Sequence, residues 1–203
     1  LGADGNMYLS RIQKVCNQMK QLINNILEFS KITVKKELFT EVDLNNLIPD
    51  ILQELNETIQ EKNIHIVLEK LPVYCVNAVL MHQLFLNLIG NAVKYTSKTH
   101  PSVIRIYSEE FSVNKVIGDS MREVRYGRVF IEDNGIGFDQ KYADEIFDMF
   151  RRLHPVAEYE GTGIGLALCK KIIEKHNGFI SVKSEIDKGS TFIISIPLEH
   201  FES

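Results

Sequence analysis

The chain of 203 residues is 44% hydrophobic and 25% charged, a balance that fits one sizeable core plus an appendage and excludes disorder as its main state. A formal net charge of -4 excludes general attraction to nucleic acid or anionic lipid, so any phosphate binding is local, and no run has the length of a membrane-spanning helix. Cys16, Cys75 and Cys169 are widely spaced in apolar runs; they form neither a disulfide framework nor a zinc pattern, and fit a reducing cytoplasm.

The opening "LGADGNMYL" has neither an initiating Met nor a signal-peptide pattern and reads as an internal cut in a longer protein. From Ile12 to Ile32 the chain reads as an amphipathic helix, with Ile12, Val15, Met19, Leu22, Ile26 and Phe29 in the a/d rhythm of a helix seam. Cys16 and Ile23 widen that seam to the span of a bundle helix. The pattern alone equally allows a surface helix lying on its own domain. A charged hinge, "KKELFTEVDL", then places a domain boundary near residue 36.

Asp43 can cap a helix running from about Asn45 to Glu61, with Pro49 tolerated near its first turn. "IHIVLEK" and "VYCV" read as short strands separated at Pro72. Asn77 caps the next helix, whose Leu80, Leu84, Leu88 and Val93 form a buried face. "VIRIYSEEFSV" and "EVRYGRVFIED" form a hairpin with a loop around Gly118. Helical signals return at "YADEIFDMF" and at "GIGLALCKKIIEKH", the latter stopping at Asn177-Gly178. A last strand pair turns at Lys188-Gly189. Without a regular βαβ repeat, the expected fold class is α/β: a two-layer sandwich of helices on one face of a mixed, largely antiparallel sheet.

Three stretches carry chemistry. Asn87, Asn91, Lys94 and Tyr95 stand at spacings of four, three and one, which puts two amides and an amine on roughly one face of an apolar helix. Two surface-facing Asn would produce the same pattern, but Asn is a mediocre helix former, and a site would explain its cost. An amide oxygen can ligate a hard cation such as Mg2+, and Lys94 can pair with phosphate. "DNGIGFD", Asp133 to Asp139, follows a strand and by itself is no more than a tight turn. "EGTGIGLALCKK" frees a loop with Gly161, Gly163 and Gly165 that opens into a helix, where backbone N–H groups can cradle an oligophosphate. The Walker A ending is missing, and no strand immediately precedes the loop as a dinucleotide fingerprint requires.

The ordered set "NLIGNAVKYT", "DNGIGFD", "IFDMFRRLH", "GTGIGLALCKKII" and "GSTF" closely resembles the N, G1, F, G2 and G3 boxes of sensor histidine kinases, over residues 37–200. That ATP-binding catalytic domain belongs to the gyrase, chaperone, histidine-kinase and mismatch-repair ATPase superfamily. The run from Arg151 to Gly178 looks most like phytochrome-related and hybrid sensors.

The resemblance implies a Bergerat-type ATP-binding fold over 37–203, with ATP and Mg2+ as cofactors. It gives Asp133 the adenine amino group, with Thr191 supporting that pocket and Gly135, Gly137 and Phe138 in the adenine-side loop. Asn91 would ligate Mg2+, with Asn87 and Lys94 at the phosphates and Tyr95 over the site. Arg152, in F-x-R after Phe150, would reach the terminal phosphate from a mobile lid, making Asn87, Lys94 and Arg152 the catalytic set. The backbone of Gly161, Thr162, Gly163, Ile164, Gly165 and Leu166 would hold the remaining phosphate charge, and Phe147 and Phe150 would dock the lid.

Hydrolytic members of the superfamily carry a Glu base where this chain has Asn87, which accepts no proton at neutral pH. The resemblance therefore implies γ-phosphoryl transfer to a histidine in two-component signalling. His65, His82, His100, His154, His176 and His200 all lack the acceptor pattern, His154 in the lid being the one with a functional reading of its own. Residues 1–36 resemble the second helix of a dimerisation hairpin whose histidine-bearing first helix is absent. The implied partners are that helix, a response regulator receiver domain and a second copy through the N-terminal helix, with no nucleic acid. A hydrolysing ATPase and a non-catalytic nucleotide-binding or dimerisation module remain the alternatives.

Overall fold

The computed structural model describes residues 8, 9, 12, 13, 15, 16, 19, 20, 23, 27, 39–97, 99–117, 120–153 and 161–198. The described N-terminal positions are helical, and Ile12, Val15, Met19 and Ile23 of the apolar seam are exposed there. Leu22, Ile26, Phe29, the boundary near residue 36, the loop at Gly118, His154 and His200 lie outside the described residues.

Strand β1 (Thr40–Asp43) leads into α1 (Leu44–Glu54), and the Asp43 carboxylate caps that helix by accepting from the Asn45 N–H at 2.8 Å. The expected helix from Asn45 to Glu61 is two helices, α1 and α2 (Asn56–Glu61), broken at Leu55. Nothing in the sequence marks that break. Pro49 sits in the second turn of α1 rather than the first, and removes the N–H that the Asn45 carbonyl would have received. Next come β2 (His65–Leu68), β3 (Val73–Val76) and α3 (Ala78–Lys94), with the Asn77 side chain accepting from the Leu80 N–H at 2.9 Å.

The hairpin is longer than its apolar cores indicate: β4 (Val103–Ile117) pairs with β5 (Ser120–Asp133) from Ile104↔Asp133 to Ile117↔Ser120. The pairs from Asn114↔Glu123 to Ile117↔Ser120 carry the ladder past the expected ends. "YADEIFDMF" is not a helix but two 3-10 turns, Gln140–Tyr142 and Glu145–Phe147. Ile146 and Phe147 of the second turn are both buried, so the apolar residues of this stretch reach the core without a helix. Helix α4 (Gly165–Lys175) ends in a Schellman motif: Asn177 takes φ +55, its N–H reaches the Glu174 carbonyl and the Gly178 N–H that of Ile173. Strands β6 (Phe179–Glu185) and β7 (Gly189–Pro197) complete the chain.

Five strands form one sheet in the order β2-β4-β5-β7-β6, antiparallel except for β2 beside β4, while β1 and β3 make a separate antiparallel pair. Leu84, Phe85 and Leu88 of α3 and Leu168, Ile172 and Ile173 of α4 are buried in one core with Ile106, Val129, Ile131 and Ile194 of the sheet. The result is the expected two layers, with the polar face of α3 turned away from the core. Along the outer edge, the Gln140 amide donates to the Val182 carbonyl at 3.1 Å and accepts from the Ser184 N–H at 2.7 Å, holding the first 3-10 turn against β6.

Gly127 of β5 lies under the buried ring of Tyr74, and a side chain there would stand 2.1 Å from the Tyr74 hydroxyl. Gly127→Ala is therefore expected to cost about 1 to 3 kcal/mol by overpacking. Urea unfolding of the two proteins measures it, and an unchanged midpoint would contradict the packing described.

Candidate functional site

The C-terminal end of α3, the loop after β5 and the glycine loop before α4 enclose a cleft of about 310 Å³, within the range of small-ligand sites. Helix α3 supplies Asn87, Asn91 and Lys94 to it, and Tyr95 follows as the C-cap. These residues share a face because the opposite face, Leu84, Leu88 and Ile89, is committed to the core. Gly90, between the two Asn, also lines the cleft, and a side chain there would meet nothing within 4 Å. A mid-helix glycine costs about 0.5 to 1 kcal/mol relative to Ala, so here it keeps space open at a cost to the helix.

The loop after β5 is fastened to α3. The Ile136 N–H donates to the Tyr95 carbonyl at 3.0 Å, and a side chain on Gly135 would stand 2.2 Å from that same oxygen. Gly137 adopts φ +56 with the Glu185 carbonyl 2.0 Å from where its side chain would be. Both glycines are thus required by close approach. Gly137 and Phe138 line the cleft, whereas Gly135 acts from behind it.

Asp133 ends β5 as a buried carboxylate in the cleft wall and accepts from the Gly135 N–H at 2.8 Å. Burial pushes its pKa up to about 6, against the lowering effect of backbone hydrogen bonds from Gly135 and Ser190. Its folded pKa therefore lies above the ordinary 3.8. The stability Asp133 lends the ligand-free fold is complete below that ordinary value and is lost as pH rises through about 6. The fold on its own favours the protonated acid.

The far end of the cleft is cationic. The Lys94 ammonium donates to the Tyr95 hydroxyl at 2.8 Å and lies 3.0 Å from where a side chain on Gly161 would begin. Arg152 donates to the Gly161 carbonyl at 2.6 Å, and Arg151, beside it on the cleft, pairs with Glu145. Gly161, Thr162, Gly163, Gly165 and Leu166 line this end at the start of α4. The Asn87 amide donates to the Gln83 carbonyl at 2.9 Å, leaving its oxygen turned toward Gly165. Burial raises the Tyr95 hydroxyl's pKa, partly offset by Arg152.

Besides Gly135, two expected site residues do not line the cleft. Thr191 does not line the cleft: Asp133 pairs with Ser190 in the β5–β7 register, and side chains alternate, so Ser190 and Phe192 face inward. Ile164 is fully buried beneath the loop and is not in the cleft wall. Of the two lid phenylalanines, Phe147 is buried as expected. The Phe150 side chain is exposed, and that residue docks by backbone, its N–H reaching the Gly163 carbonyl at 2.8 Å. Leu86, Gly90, Ile136, Ile146, Arg151, Leu153, Ser190 and Phe192 line the cleft without having been singled out in the sequence. All but Leu86 lie within the quoted motif segments, and Leu86 directly precedes one.

The cleft is thus bipolar, with an acceptor carboxylate among apolar side chains at one end and ammonium, guanidinium and helix N–H groups at the other. That polarity matches a ligand with an amino-bearing ring and a polyanionic tail.

Known proteins are similar to this chain in sequence and in fold. The chain is 34% identical over 198 residues to cyanobacterial phytochrome A of Nostoc sp. strain PCC 7120, covering 98% of this chain and 24% of that protein. It spans about a quarter of the length of the curated relatives it matches. Among solved structures, the nucleotide-free catalytic domain of histidine kinase ThkA superposes with a TM-score of 0.61 at 27% identity, over 79% of this chain and 97% of that one. ThkA in complex with response regulator protein TrrA gives 0.71 at 23% identity over 98% of this chain and 53% of the other, a likeness of fold. Residues 76–200 match the model of the histidine kinase-, DNA gyrase B- and HSP90-like ATPases. With that match over more than half its length, the chain belongs to this ATPase family, in its sensor histidine kinase branch.

Proposed function

We propose that residues 37–203 bind ATP in the bipolar cleft and transfer its γ-phosphoryl group to a histidine nitrogen on a separate helix of the same kinase. One observation carries this reading: Asn87, Asn91, Lys94, Asp133, Arg152 and the glycine loop converge on a single cleft, with a neutral amide facing Gly165. Asp133 accepts from the adenine amino group, while Phe138, Ile146 and Leu86 give the ring an apolar seat. The N–H groups at the start of α4, with Lys94 and Arg152, hold the phosphates.

Asn91 offers a neutral amide oxygen on the same wall, a donor that suits a hard cation taking its remaining ligands from phosphate and water. Mg2+ held there would offset charge developing on the phosphates. With no carboxylate at Asn87, this part of the wall holds no base for water. The acceptor imidazole supplies the attacking lone pair, the bond from the γ-phosphorus to the bridging oxygen breaks, and ADP leaves with its electrons. Lys94 and Arg152 orient the chain for that displacement.

Residues 1–36 fit the second helix of a dimerisation hairpin, since the described seam positions Ile12, Val15, Met19 and Ile23 are apolar and exposed. A second copy and the histidine-bearing helix would cover them. The next partner is a response regulator receiver domain, by analogy with the ThkA–TrrA complex. A cytoplasmic location follows from this use of ATP; among the described residues no helix is long and apolar enough to cross a membrane.

Each lost contact to a charged group costs about 1.5 to 3 kcal/mol, so Asp133→Ala and Asn91→Ala should each weaken Mg-ATP binding by roughly tenfold or more in calorimetric titration. Retained wild-type affinity in either would remove the assignment. Adenosine, which does not titrate near neutrality, should bind about tenfold more weakly at pH 5 than at pH 7.5, because Asp133 gains its proton near 6; a flat profile would assign the base elsewhere. Mixed with ATP, Mg2+ and the histidine-bearing helix, the protein should form acid-labile phosphohistidine and release little free phosphate. Steady phosphate release without acceptor would indicate a hydrolase, and neither product a silent module.

A further inference from the structure

Asp133, Ser190 and Ser184 stand side by side across β5, β7 and β6, in register and on the face of the sheet that carries the cleft. Ser190 is 8% exposed and lines the cleft beside Asp133; Ser184 stands behind it. The Ser184 oxygen has three neighbours: the Phe138 N–H at 2.9 Å, the Gly189 carbonyl oxygen at 3.0 Å and the Ser190 hydroxyl oxygen at 2.9 Å.

These contacts fix where two protons lie. Phe138 N–H can only donate, so Ser184 accepts there. Two oxygens 3.0 Å apart repel unless a proton lies between them, and a carbonyl has none, so the Ser184 proton goes to Gly189. The 2.9 Å contact between the hydroxyls then takes the Ser190 proton. Ser190 consequently turns lone pairs toward the cleft, beside the acceptor oxygens of Asp133. That end of the cleft offers acceptors to whatever ring enters.

We propose that Ser184 is a positioning residue that sets the polarity of the Ser190 hydroxyl, and through it the preference of the cleft for a 6-amino over a 6-oxo purine. This deepens the reading of the cleft as an ATP site and rests on it. The exocyclic amine of a 6-amino purine carries two hydrogens for two acceptors. A 6-oxo purine brings an oxygen against them, and neither Ser190 nor ionised Asp133 has a proton to spare. Without the Ser184 hydroxyl, the Ser190 O–H is released to rotate and donate to that oxygen. The Phe138 N–H loses its acceptor at the same time, which loosens the adenine-side loop for any nucleotide.

The two effects separate in a ratio. ATP and inosine triphosphate, which differ at the purine 6-position and in the hydrogen that the 6-oxo form carries on N1, are titrated against the full chain at about pH 8, where Asp133 is ionised. The wild type should bind ATP at least about tenfold more tightly, and Ser184→Ala should narrow that preference by roughly fivefold or more while weakening ATP. Ser184→Thr, which restores the hydroxyl, should return the ratio toward wild type. If Ser184→Ala does not fold, Ser190→Ala carries the test, since deleting the acceptor should narrow the ratio too. Equal weakening of both nucleotides by Ser184→Ala, or an unchanged ratio in Ser190→Ala, overturns the positioning role and leaves the ATP site standing. A wild-type chain that binds neither nucleotide overturns both.

Discussion

One fastening organises the site: the end of α3 is tied to the loop after β5. The Tyr95 carbonyl accepts from Ile136, and Gly135 lets the two backbones approach to a distance that any side chain would prevent. Helix carbonyls at a C-terminus have no partner within the helix and must find one outside it. Here Ile136 satisfies one, and the Lys62 ammonium satisfies two more, reaching the Val93 carbonyl at 2.8 Å and the Lys94 carbonyl at 3.1 Å. The cationic end of the cleft comes from a helix and the acidic end from a strand. That junction fixes the distance between them.

The cleft also holds a conflict that the fold alone does not resolve. Asp133 is buried where its charge is disfavoured, and two backbone N–H groups offset part of the penalty. Some of the remaining penalty is relieved when a donor enters. That relief is the hydrogen bond the donor makes, and it is stronger for being made away from water. Gly90 belongs to the same trade, giving up helix stability to keep volume open.

Much of the architecture was legible because it depends on local rules. Asn77 caps α3, and Asn177 with Gly178 closes α4, through interactions within a few residues of chain. The spacing of Asn87, Asn91 and Lys94 put them on one helix face, and the core then decided which way that face points. What depends on register was not legible. Whether Ser190 or Thr191 faces the cleft is settled by the pairing of β7 with β5, and adjacent residues in "GSTF" look alike until that pairing is known. The 3-10 turns escaped for a related reason: the first is held by the Gln140 side chain on β6, and Ile146 and Phe147 of the second by packing in the core. The break at Leu55 has no local signature either.

The grip of Gln140 on β6 has a consequence beyond the cleft. An open sheet has two rims, and each is a template on which another extended chain can crystallise strand upon strand. On the β2 side the outer strand is only four residues long and leaves β4 without a strand neighbour past Ile106. On the β6 side, a side-chain amide imitates the missing neighbour, occupying the Val182 carbonyl and the Ser184 N–H. The same amide that steadies the first 3-10 turn therefore blocks strand addition at the β6 rim. That rim is thereby closed to another extended chain.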